Sequence, residues 1–170
     1  AEIELMAGDL RRAETIYLQL VARAPVRSNY TNLGIARFLD GRPGEAVAAY
    51  RKALELDPGH ATVTLNLADA EAARGNAGEA RVLYARVLEA LETQAAASPP
   101  GAFDRMLAAQ CLAHLGRHRE AVAILQEVLR ENPRNPEILY LASLVYALVD
   151  ERVSALVTAQ GALEQGVRPR

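Results

Sequence analysis

The chain has 170 residues, 24% charged and 51% hydrophobic, with a formal net charge of −2. This is the composition of one globular domain with a real core, and it excludes a globally basic surface for nucleic acid or acidic lipid. Aromatics at 5% without Trp argue against stacking platforms for single-stranded nucleic acid, and no apolar run approaches the roughly 20 residues of a membrane span.

Apolar residues recur at intervals of three and four, the period of a helix buried on one side. A partial helix is predicted over 1–7 and a second over 9–22, followed by Pro25. Helix pairs follow at 28–40 with 43–56, 61–74 with 77–96, 102–115 with 118–131, and 136–149 with 151–165. The chain opens inside a repeat and ends on Val167-Arg168-Pro169-Arg170 without a polar capping helix. Terminal repeats need a polar outer face, so the expectation is a fragment of a longer protein or an array completed by another chain. Ile16 and Leu20 near one end, and Leu156 and Leu163 near the other, are expected to be incompletely covered. Contiguous apolar patches of that kind signify contacts, so self-association through a terminal face is expected.

The helices repeat a single unit. Gly8, Gly41, Gly75 and Gly116 each follow a helical pattern, and Asp150 takes the fifth place, at spacings of 33, 34, 41 and 34 residues. Five residues after each stands alanine: Ala13, Ala46, Ala80, Ala121 and Ala155. Four further on come Tyr17, Tyr50, Tyr84 and Leu125, with Ala159 breaking the column. Pro25, Pro58 and Pro133 close three copies. The glycine ends a first helix where a left-handed residue is needed. The alanine marks the close crossing of the pair, and the proline stops the second helix. The 41-residue step is read as a longer helix running to the breaker Ser98-Pro99-Pro100-Gly101.

These columns resemble the tetratricopeptide repeat family, best in residues 27–60, where Tyr30, Leu33, Gly34, Gly41, Ala46, Tyr50, Ala53 and Pro58 all fit. The resemblance covers essentially the whole chain. It implies an all-α, right-handed superhelical solenoid of antiparallel helix pairs, read as one array: a partial repeat 1–26, repeats 27–60, 61–94, 102–135 and 136–169, and an insertion at 95–101. It also implies protein–protein interaction in a concave groove lined by first helices.

Asn32 and Asn66 occupy the same place in successive units. Relatives such as O-linked N-acetylglucosamine transferases use asparagines in this way to hold an extended peptide's backbone, since an amide both donates and accepts. Here the next places are Leu107 and Leu141, so the ladder has two rungs. Further groove candidates are Thr31, Ile35, Leu65, Asp69, Met106, Gln110, Tyr140 and Leu144. The Lys and Arg set with which another subgroup grips a C-terminal carboxylate is missing, Lys52 being on a second helix.

Catalytic chemistry is not apparent. Cys111, in a setting of Ala and Leu, reads as a small buried hydrophobe, and as the single cysteine it leaves the redox compartment open. His114 and His118 flank Gly116 and read as surface turn residues; His60 stands alone after Pro58. The carboxylates fall on helix faces, and no serine has a recognisable His and Asp pattern. The reading is a scaffold for a protein or peptide partner: not an enzyme, without cofactor, metal, nucleic acid or membrane span. The compartment is undetermined, with the cytoplasm favoured. A second resemblance, carried by residues 28–58, the extended repeat ending near Pro99 and the terminal Ala162-Leu163-Glu164-Gln165-Gly166, is to C-terminal arrays of bacterial signalling proteins such as serine/threonine kinases and transcriptional regulators. An assembly factor for a secretion or pilus system is a third reading.

Overall fold

A computed structural model describes residues 9–166. The helix predicted over 1–7, Gly8 and the last four residues lie outside the described residues. Nine helices occur among the described residues: α1 Leu10–Arg23, α2 Arg27–Leu39, α3 Pro43–Leu56, α4 Ala61–Ala73, α5 Ala77–Ala97, α6 Ala102–His114, α7 His118–Glu131, α8 Pro136–Leu148 and α9 Arg152–Glu164. No strand is among them, and the architecture is an all-α helical repeat. Two compact units divide within α5, between Leu83 and Tyr84.

The turn column holds. Gly41, Gly75 and Gly116 have φ of 74, 89 and 79°, and Asp150 adopts 61° in the same place. Asp is one of the few side chains that tolerate this region. After each turn the next N–H reaches back five residues: Arg42 to the Arg37 carbonyl, Asn76 to Glu71, Arg117 to Leu112 and Glu151 to Tyr146, at 2.8–2.9 Å. These are the terminal bonds that satisfy carbonyls left open at a helix end.

In the first unit α1 packs on α2, α2 on α3 and α3 on α4. Ala13, Tyr17, Leu33, Ala36 and Ala49 form a core cluster, with Leu10, Leu20, Val21 and Ile35 packed against it. Leu20 is partly buried against this cluster and Ile16 is half-buried, so both are incompletely covered. Ala46 is fully buried beside Tyr50 on α3. In the second unit α6 packs on α7, while α8 contacts α6, α7 and α9. Ala121, Leu125 and Val128 on α7 are fully buried, as is Cys111 on α6. Ala80 is buried too, but Ala155 is only half-buried.

Two polar clusters brace the first unit. Glu71, completely buried, accepts from Arg51 at 2.9 Å and from the Asn76 side chain at 2.8 Å. A buried carboxylate without such partners would be strongly destabilising. Glu14, whose side chain is 15% exposed, accepts from Arg42 at 2.5 Å and from Arg37 at 2.9 Å. The Arg42 hydrogen bond holds its carboxyl below the usual carboxylate range against the opposing effect of burial, and Arg37 adds to it. A depressed folded pKa contributes stability that is present above the unfolded value and is lost as pH falls through the folded one. The urea midpoint should therefore fall as pH drops below about 4.5, the ordinary value for this carboxyl. Glu14→Gln should flatten this fall. Identical acid profiles for the two proteins would refute the assignment.

Candidate protein-binding surface

In the first unit α2 and α4 approach each other and carry the two asparagines at equivalent places. Asn32 and Asn66 are both half-buried, and among the described residues neither amide has a hydrogen-bond partner. A half-buried amide with open donors and acceptors can pair with a peptide group without reading its side chain. Thr31 donates its hydroxyl to the Arg27 carbonyl at 2.9 Å, leaving only acceptor capacity. Ile35 supports the core cluster from its edge. Asp69 is half-buried near Tyr50; burial first, and then the Asp69 charge, push the Tyr50 phenol above its ordinary range.

Leu65 and Met106 are core residues. They are 3% and 1% exposed, and neither offers surface to a ligand. They share a register with Thr31 and Tyr140, both half-buried. At this register an aliphatic or thioether side chain folds into the helix interface, where burial stabilises by about 1.5–3 kcal/mol. A hydroxyl-bearing side chain keeps its polar end at the edge.

In the second unit the candidates lie on α6 and α8, which pack together. Gln110 and Tyr140 are half-buried and Leu144 is exposed, as is Leu148 one turn further along. Tyr140, Leu144 and Leu148, four apart, form an apolar strip on one side of α8. Phe103 on α6 is also exposed, seven residues before Gln110 and so on the same face. The second unit therefore presents an apolar surface, where the first presents amides.

The histidines are placed differently from a surface pair. His114 is half-buried and stacks face to face on Tyr84, ring centroids 4.2 Å apart and 3° from parallel. Only His118 is exposed, beside Arg119, Val122, Gln126, Val149 and Glu151 in an open depression of about 320 Å³. His60 caps α4, its Nδ1 accepting from the Val63 N–H at 3.4 Å. No group of three metal-ligating side chains occurs among the described residues. No helix there is long and apolar enough to cross a membrane. Lys52 is on the exposed face of α3, donating to Glu55 at 2.8 Å.

The sequence pattern of the tetratricopeptide repeat matches residues 1–61, 94–136 and 106–150 in one form and residues 37–98 in another. These matches take in well over half of the chain. The chain belongs to the tetratricopeptide repeat family. Among solved structures this tetratricopeptide array is similar to MamA, with 19% identity, 95% of this chain and 91% of that chain covered, and a TM-score of 0.51. It is similar to pilF of Pseudomonas aeruginosa at 17% identity, covering 98% and 73%, with a TM-score of 0.58. A thermophilic tetratricopeptide protein of Thermus thermophilus matches at 24% identity, covering 83% and 75%, with a TM-score of 0.54. At these identities the likeness is one of fold. No curated protein matches the sequence. Tetratricopeptide arrays are protein-interaction scaffolds and in general not catalysts.

Proposed function

We propose that this array binds partner proteins through the faces of its first helices, and that it does so without catalysis of its own. The observation that carries this reading is the pair of open, half-buried amides at the same place in successive repeats, Asn32 on α2 and Asn66 on α4. Such a pair suits the backbone of an extended peptide, each amide giving and taking one hydrogen bond. The strip of Tyr140, Leu144 and Leu148 suits apolar side chains, because covering it removes apolar surface from water. The modest net charge of −2 makes a nucleic-acid partner a poor fit.

Peptides enriched from a displayed random library on the purified array supply the probe. Asn32→Ala with Asn66→Ala should weaken their binding by about 1–3 kcal/mol in total, at 0.5–1.5 kcal/mol for each hydrogen bond. That is a loss of roughly 5- to 150-fold, with the helical circular dichroism spectrum retained. Full affinity in the double variant would remove the asparagine ladder and transfer the reading to the apolar strip, where Leu144→Glu is then the decisive substitution.

A further inference from the structure

Aligning Gly41 with Gly116, and Gly75 with Asp150, sets the α3–α4 pair of the first unit on the α7–α8 pair of the second. In the first unit an arginine bridges the two helices. Arg51, one turn beyond Val47 on the same face of α3, donates to Glu71 on α4 at 2.9 Å. Arg74, in the turn after α4, lies 3.6 Å from the same carboxylate, and the Asn76 side chain donates to it at 2.8 Å. Val47 is 2% exposed.

In the second unit the acid and its polar neighbour have exchanged places. Tyr146 stands where Glu71 stands, and Glu151 where Asn76 stands. Both arginines are gone, their places taken by Gln126 and Val149. The acid and the phenol remain neighbours: burial first, and then the Glu151 charge, push the Tyr146 phenol above its ordinary range. Among the described residues no cation pairs with Glu151, whose carboxylate accepts from the Ser154 hydroxyl at 3.2 Å. Val122, at the place of Val47, is half-buried. The depression of about 320 Å³ opens beside it, with Ala123 and Val149 as further apolar wall and Gln126 and Glu151 as polar wall. Its walls come from α7 and the α8–α9 turn, with α9 following, so it is an internal seam of the unit.

We propose that this depression is a second docking site, separate from the first-helix faces, and that it takes one arginine side chain of a partner protein. The incoming side chain supplies what Arg51 supplies in the first unit. Its methylenes lie on Val122, Ala123 and Val149, as the stems of long basic side chains cover apolar surface. Its guanidinium meets the Glu151 carboxylate, with the Gln126 amide oxygen as a further acceptor. A planar fork of donors suits two acceptors, where an ammonium is a point charge. Arg119 and His118 stand at the mouth. The Arg119 charge opposes a second cation, so the match is to a single arginine and not to a basic tract.

Methyl NMR of the full 170-residue chain, titrated with the acetylated and amidated peptide Gly-Ala-Arg-Ala-Gly, tests this. The Val122 and Val149 methyl signals should shift saturably. Lysine in place of the arginine should bind more weakly, and alanine or glutamate should leave those signals in place. Glu151→Gln should weaken the arginine peptide by about two- to fivefold, the scale of one exposed ion pair, and Arg119→Gln should strengthen it. Gln126→Arg installs an arginine of the chain's own at the place of Arg51, and should abolish the shifts with the helical spectrum retained. Asn32→Ala with Asn66→Ala should leave this titration unchanged, which separates the site from the first-helix faces. Absence of saturable shifts at Val122 and Val149 would overturn the proposal. So would equal shifts from the alanine or glutamate peptide, a titration indifferent to Glu151→Gln or to Gln126→Arg, or binding that falls with Arg119→Gln.

Discussion

Gly34→Ala is expected to destabilise the first unit by about 1–3 kcal/mol, the cost of overpacking a filled site. A Cβ at Gly34 would fall on the ring of Tyr50, 2.6 Å from its Cδ1 and 2.9 Å from its Cζ, far inside van der Waals contact. The ring has no free direction in which to retreat, since Tyr50 is 2% exposed. Gly34 is needed here for close approach, its conformation being ordinary helix within α2. Equilibrium urea unfolding should show a lower midpoint with little change in slope. Pairing the substitution with Tyr50→Leu should recover part of the loss, because the two side chains contend for the same volume and their effects do not add. An unchanged midpoint for Gly34→Ala alone would show that α2 and α3 are less closely packed than described.

Ala46→Leu and Ala121→Leu should each cost a similar amount, about 1–3 kcal/mol. Both alanines are fully buried, Ala46 on α3 and Ala121 on α7, in different units. Each stands five residues beyond a left-handed turn, where the second helix of a pair comes against the first. A leucine there needs space that only a shift of the helix can provide, because protein interiors leave no voids of that size. Ala155→Leu, at the same register but half-buried on α9, should cost clearly less. Comparing the three by denaturant midpoint separates burial from helix propensity, since alanine and leucine differ little in propensity. Equal effects at all three positions would contradict the packing description.

The turn column was legible because its cause is local. A chain that reverses between two helices needs a left-handed residue, and Gly41, Gly75, Gly116 and even Asp150 could be aligned on that need. The alanine column was legible because size alone settles it. The helix ends followed, with the long α5 running on to Ala97 where no proline intervenes before Ser98-Pro99. The candidate surface was legible only as a register. Thr31, Leu65, Met106 and Tyr140 share one, yet two of them are core and two are partly open.

The sequence by itself therefore determined the repeat frame, its turns and its closest crossings, since each depends on one backbone conformation or one side-chain size. The tertiary structure alone decided the destination of side chains that could turn either way. Leu65 and Met106 go into the core, His114 lies against Tyr84, and Glu71 is enclosed by Arg51 and Asn76. Asn32 and Asn66 stay open. Each of those outcomes depends on neighbours brought in from distant parts of the chain. Burial of an apolar group and pairing of a polar one are properties of that assembled surrounding, which no single repeat contains.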